Sequence, residues 1–157
     1  MQTITPFLWF DGNAEEAATF YVSVFPNSRI TDTLRYGDGM PFPKGTALTV
    51  GFDLDGLRFT ALNGGPQYRF SPATSFVVHC DDQAGIDRYW EALGERGQYQ
   101  QCGWLTDRFG VSWQVVPRDL AALLGGDDQT AAGRAMQALM TMTRIDIAAL
   151  QAARAGG

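Results

Sequence analysis

FLWFDGNAEEAATFY, residues 7–21, and SFVVHCDDQAGIDRYW, residues 75–90, open in the same way. Each begins with a short apolar run and breaks at an aspartate, Asp11 or Asp81. Each then enters an amphipathic stretch with an aromatic pair, Phe20-Tyr21 or Tyr89-Trp90. An aromatic or β-branched run stopped by Asp, Gly and Asn predicts a strand. Apolar residues returning every three or four positions predict a helix.

The segments after the two openings are also alike. In the first copy a strand is expected over 3–10. Asn13 stands as N-cap of the helix AEEAATFYVSVF, with Glu15 and Glu16 in its first turn. Pro26-Asn27-Ser28 ends the helix, and strands are expected over 29–36, 46–54 and 57–62. The Gly- and Pro-rich stretch 37–45 is a loop, and Asp55-Gly56 is a two-residue hairpin turn. In the second copy a strand over 74–80 leads to the helix QAGIDRYWEALGE, with Ile86, Tyr89, Trp90 and Leu93 as its apolar stripe. Short strands around 98–106, a hairpin at Arg108-Phe109-Gly110 and a strand over 111–116 complete it.

Strand, helix and three strands, stated twice, is an internal repeat. The fold class is therefore α+β: one domain over 1–157 made of two tandem β-α-β-β-β modules, about 1–66 and 73–117, with a helical tail over 118–157. In the tail, RDLAALL and DIAALQAAR (Asp146 as N-cap) read as short helices. A third runs from Asp128 to Met140 with Ala132, Met136, Leu139 and Met140 on one face. Those apolar faces need cover, from the main sheet or from a second subunit.

Composition narrows the function. The 157 residues are 45% hydrophobic and 18% charged, which is globular. A net charge of −5 with twelve Lys and Arg argues against a nucleic-acid or anionic-membrane partner. Cys80 and Cys102 fit no CxxC pattern and read as free thiols of a reducing compartment. The N-terminus MQTITPFLWF lacks the basic start and long apolar run of a signal peptide, and no window reaches a membrane-spanning length. A soluble cytoplasmic protein is expected.

The doubled unit, together with the stretches FDGNAEEAATFY, NGGP, CDDQ and CGWLTDRFGVSWQVVP, resembles the vicinal-oxygen-chelate superfamily of glyoxalase I, bleomycin-resistance proteins and extradiol dioxygenases. Within it the chain is similar to the PhnB-like branch, often labelled 3-demethylubiquinone 3-methyltransferase-like. The resemblance takes in essentially the whole chain, the helical tail included. It implies the glyoxalase/bleomycin-resistance fold, with curved mixed sheets forming a cup, and assembly as a homodimer.

Glyoxalase-type members hold a divalent metal in the cup through first-strand and last-strand residues. Carried over by the terminal aspartates and the hairpin glycines, those positions are Thr5, Thr60, Ser75 and Gln114. Neutral hydroxyls and one amide are weak donors for Zn, Ni, Fe or Mn. His79 is the single histidine, and neither LRFTALN nor VSWQVVP contains a carboxylate. No metal and no other cofactor is expected.

Strand alternation then assigns the cup face. It comprises Thr5, Phe7 and Trp9; Arg58, Thr60 and Leu62; Ser75, Val77 and His79; and Ser112, Gln114 and Val116. Leu8, Phe10, Phe59, Phe76, Val78, Cys80 and Trp113 face the helices. The ligand-binding set is Thr5, Phe7, Trp9, Thr60, Leu62, Ser75, Val77, His79 and Gln114, an apolar and aromatic surface with a few polar groups. It suits a small organic molecule, or simply fills a small core. Gln114 must find a partner in protein, water or ligand, because a buried unpaired amide is costly.

Three functions stay open: a small-molecule binding protein, an enzyme using His79 or a cup carboxylate for proton transfer, and the methyltransferase of the family label. Against the last, no Gly-rich first turn follows a strand. Trp104 and Asp107 either line the rim or shape the last hairpin. Asn63-Gly64-Gly65-Pro66 is either an anion nest or a turn, and Cys102 either a reactive thiol or a buried small residue.

Overall fold

Alternation and turn chemistry produce the doubled order. The computed structural model describes residues 2–157. In the first module β1 (Phe7–Phe10), α1 (Ala14–Val24), β2 (Arg29–Arg35), β3 (Ala47–Leu54) and β4 (Leu57–Asn63) follow one another. In the second the order is β5 (Ser75–Cys80), α2 (Gln83–Gly94), β6 (Gln98–Tyr99), β7 (Trp104–Thr106) and β8 (Ser112–Pro117). The tail adds α3 (Leu120–Leu124), α4 (Gln129–Met140) and α5 (Ile147–Ala155). Each module builds a four-stranded mixed sheet, ordered β1-β4-β3-β2 and β5-β8-β7-β6. β1 runs parallel to β4 and β5 parallel to β8, and the remaining pairs are antiparallel. The chain divides into two compact units, one reaching to Phe70 and one from Ser71 to Gly157.

Module one closes its core with alanines. Ala14, Ala17, Ala18 and Tyr21 are the buried face of α1, and the small side chains bring the helix close to β3 and β4. Tyr21 stacks on Phe52 and Phe52 on Phe59, at centroid distances of 6.2 and 5.4 Å. The Asp55-Gly56 turn has both φ angles positive, 47° and 85°, as a type I′ hairpin requires.

Two local expectations change here. β1 starts at Phe7 rather than at residue 3, because Pro6 has no N–H to give; its carbonyl instead accepts from Thr60 N at 3.0 Å. Asn13 does not cap α1 with its side chain. The N–H of Ala14 is taken by Asn63 Oδ1 from β4, at 3.0 Å. Buried Asn63 also donates to Ala47 O, and its own carbonyl accepts from Tyr36 Oη.

In module two the stripe Ile86, Tyr89, Trp90, Leu93 is the buried face of α2. Asp82 caps that helix, accepting from Gly85 N at 2.8 Å. Trp90 stacks on Tyr99 at 4.8 Å, and the Tyr99 ring lies where any side chain at Gly94 would stand.

The tail packs otherwise than its sequence suggests. α4 buries Ala131, Ala135 and Leu139, while Met136 and Met140 are 42% and 64% exposed. The buried face is thus turned by one residue, since the small alanines let α4 lie against α5 and the methionines do not. Asp146 caps α5 as expected, accepting from Ala149 N. Residues 142–147 form a strap on module two. Cys102 N donates to Met142 O and Gly103 N to Thr143 O, both at 2.8 Å. The Gln83 amide binds Ile145 O and Ile147 N. Ile145 is fully buried against Gly103, where a Cβ would meet it at 2.7 Å. Among the described residues no helix is long and apolar enough to cross a membrane.

Candidate functional site

Each sheet has one face under its helix and one turned away. In module two the helix side carries Val78, Cys80, Leu105, Trp113 and Val115, all buried. The open side carries the expected Ser75, Val77 and His79 on β5 and Gln114 on β8. The parallel register sets Ser75 beside Ser112, Val77 beside Gln114 and His79 beside Val116. Gln114 Nε2 donates to Ser75 Oγ at 2.9 Å. That bond answers why a long amide sits in so apolar a strand: the protein supplies its partner. Val77 is 43% exposed, and Ser112 is buried.

β7 adds a residue whose role the sequence leaves open. Trp104 pairs directly with Gln114, so its indole shares the open face and flanks the amide opposite Val77. Counting back from Gln114 through the hairpin register would have found it. Asp107 belongs to the hairpin instead. Its buried carboxylate accepts from Phe109 N, Val111 N and Trp113 Nε1 at 2.8, 3.1 and 2.8 Å.

In module one Phe7 lies beside Thr60 and Trp9 beside Leu62 on the open face. Phe7 is 58% exposed. Trp9 is held by its own module: Nε1 donates to Gly65 O at 2.9 Å, and Tyr68 meets the ring edge-on at 5.0 Å. Gly64 lies under the indole, where a Cβ would collide with it. The Asn63-Gly64-Gly65-Pro66 turn therefore serves to seat Trp9.

Thr5 does not join this strand set. It precedes β1 and lines a hollow of about 340 Å³ with Gln2, Asp53, Gly56 and Arg58. Pairing also sets Asp53 opposite Arg58 and Arg29 opposite Asp53. Arg58 Nε is hydrogen-bonded to Asp53 Oδ1, and Arg29 Nε stands 3.6 Å from Asp53 Oδ2. Chiefly through the Arg58 hydrogen bond, the Asp53 carboxyl is held below the ordinary carboxylate range, and the Arg58 guanidinium is raised in return. Finding this ion network from sequence requires placing β2 and β3 face by face.

Burial pushes the Cys80 thiol up to about 11. Cys102 is half-buried in the turn beneath the tail strap. Among the described residues no three His, Cys, Asp or Glu side chains gather as a group that could hold a metal ion.

These features can be set beside known proteins. The sequence profile of the family described as 3-demethylubiquinone-9 3-methyltransferase matches residues 2–116. Among solved structures, a PhnB protein from Bacillus cereus that carries the same methyltransferase label is 35% identical. The match covers 74% of this chain and 99% of that one, with a TM-score of 0.69. Protein PA1353 from Pseudomonas aeruginosa is 26% identical over 73% of this chain and 96% of that one, with a TM-score of 0.61. The fosfomycin resistance protein FosX from Listeria monocytogenes is 15% identical over 80% of this chain and 98% of that one; its TM-score of 0.56 speaks to the fold alone. No curated protein matches the sequence. The profile ends at residue 116, so it takes in both modules and stops before the tail, contrary to the whole-chain resemblance expected from the sequence.

Proposed function

The chain belongs to the 3-demethylubiquinone-9 3-methyltransferase family, the PhnB-like branch of the vicinal-oxygen-chelate superfamily, and from that premise we propose that it binds a small organic molecule on the open sides of its sheets without a resident metal. The observation that carries this reading is the hydrogen bond from Gln114 to Ser75. These are two of the positions where the resemblance implies metal ligands, and both are neutral and bound to one another. Such donors do not fit a divalent ion held tightly. Exposed Val77 beside them supplies apolar surface of the kind a small organic ligand uses, and exposed Phe7 does so separately on the open face of module one.

The methyltransferase chemistry in the family's description has no support among this chain's own residues. Its sheets are mixed rather than doubly wound and parallel, and no Gly-rich turn follows a first strand. Proton transfer by His79 is the alternative, resting on its exposed place at the end of the Ser75–Val77 row. A second copy of the chain is the proposed partner of edge strand β2, which exposes Ile30 and Leu34.

Native mass spectrometry of the purified protein, before and after adding Ni, Zn, Mn and Fe, tests the reading. The expected result is a metal-free dimer that takes up no stoichiometric metal and carries a co-purified organic mass. One tightly bound metal per chain overturns the reading and restores isomerase or dioxygenase chemistry.

A further inference from the structure

The hairpin turn between β6 and β7 carries an unfavoured residue. Trp104 N donates to Gln101 O at 3.1 Å, and the two residues between, Cys102 and Gly103, have φ angles of 61° and 83°. Two positive φ angles are what a type I′ turn requires, and its first central position favours Asn, Asp or Gly. Module one obeys with Asp55-Gly56. Module two has a cysteine there, and a cysteine in left-handed backbone persists only where its surroundings hold it.

What holds it is the tail. Cys102 N and Gly103 N donate to Met142 O and Thr143 O of the strap, and Ile145 is buried against Gly103. Gly103 O accepts from Val115 N of β8 at 2.8 Å. Trp104 follows at once, on the open face beside Gln114. The family profile stops at residue 116, and 74% of this chain covers 99% of the Bacillus cereus structure, so the shared fold stands without the tail.

The strap is lightly fastened. α3, α4 and α5 pack on one another, and Ile145 is the one buried side chain of residues 142–147. Arg144 lies 3.2 Å from Asp87 and 3.5 Å from Glu91, in exposed pairs that contribute little. A hollow of about 370 Å³, lined by Gln83, Asp87, Arg144, Ile145 and Asp146, leaves the junction with α2 under-filled. Such a segment can open while the sheet stays paired.

We propose that the tail is a latch on the open face of module two. Docked, its strap holds the Cys102-Gly103 turn left-handed and so sets Trp104 beside Gln114. Lifted, it lets the turn relax and Trp104 shift. By linkage, a partner that captures the lifted tail displaces Trp104, and a group held against Trp104 tightens the strap. The latch goes beyond the small-molecule reading and stands whether or not this face takes a ligand.

Trypsin digestion and NMR of the isotope-labelled full chain test it. The bond after Arg144 is cut when the strap lifts. The Trp104 indole N–H signal reports the open face, with that of Trp9 in module one as reference. Gln83→Ala is expected to speed cleavage after Arg144 about tenfold, and Ile145→Ser about 100-fold or more. Trp104 should shift in the same order, with Trp9 unmoved. Cys102→Asn, which suits the left-handed turn, should return the Trp104 signal of Ile145→Ser toward the parent's while cleavage stays fast. Gln83→Ala carries the test alone if Ile145→Ser is cut equally after Arg96 and Arg108, the mark of a module that has unfolded. Faster cleavage with an unmoved Trp104 overturns the inference, and so does unchanged cleavage in both strap variants. A Trp104 signal still displaced in the double variant also overturns it, because the turn then does not carry the coupling.

Discussion

The two modules are one design carrying two chemistries. Aligned on the parallel pairs Phe7 with Thr60 and Val77 with Gln114, their helix sides match: Leu8 with Val78, Phe10 with Cys80, Phe59 with Trp113, Ala61 with Val115. All eight are buried. Their open sides do not match. Arg58 of module one corresponds to Ser112, Asp53 to Thr106 and Gly51 to Trp104. A salt bridge thus occupies the place where module two has two hydroxyls, and a bare glycine the place of an indole. The buried side specifies the β-α-β-β-β unit, and the open side is where the modules diverge in what they can bind.

The sharpest way to break the comparison is at Asp107, for which module one has no counterpart. Asp107→Ala strands Phe109 N, Val111 N and Trp113 Nε1 inside module two. It should cost about 3–4 kcal/mol in urea unfolding, with the Trp113 near-ultraviolet signal lost. A cost under about 1 kcal/mol would mean that the hairpin is held by its backbone alone.

The next test concerns how each helix start is satisfied. Module one borrows Asn63 from β4, and the aligned residue of module two is Pro117, which can do no such thing. Module two caps from within, through Asp82. Asn63→Ala, which also abandons Ala47 O, should therefore cost about 2–3 kcal/mol. Asp82→Ala should cost about 1 kcal/mol, the usual value of an exposed cap. Chemical denaturation of both variants gives the ratio, and equal costs would erase this difference between the modules.

The smallest effect is electrostatic. Arg58 and Arg29 hold the folded Asp53 carboxyl below its ordinary value. Its contribution to stability is complete above the ordinary carboxylate range and is lost as pH falls through the lowered folded value. Asp53→Asn should therefore melt slightly lower than the parent at pH 7 and converge with it in acid. A constant offset between the two melting curves from neutral pH into acid would count against the ion pair.

The repeat is legible because period-2 and period-3.6 patterns and the Asp-Gly turns are local signals, and each module states them independently. Alternation alone places Phe7, Trp9, Thr60, Leu62, Ser75, Val77, His79 and Gln114 on the open faces. The failures share a physical cause. Asn63 capping α1, Gly65 receiving the Trp9 indole and Arg58 meeting Asp53 across the hairpin all depend on which residues the register makes neighbours. Pro6 removes a donor that an unbroken strand from residue 3 needs. In α4, apolar periodicity cannot tell the alanine face from the methionine face, because close helix packing prefers the smaller side chains.

The strap at 142–147 has a consequence for timing. The amide protons of Cys102 and Gly103 are tied to carbonyls of the tail rather than to their own sheet. They can trade with deuterium from solvent only when the strap lifts, however firmly β7 and β8 stay paired. Two protons in one turn are thus a built-in clock for the opening of the segment that succeeds the modules.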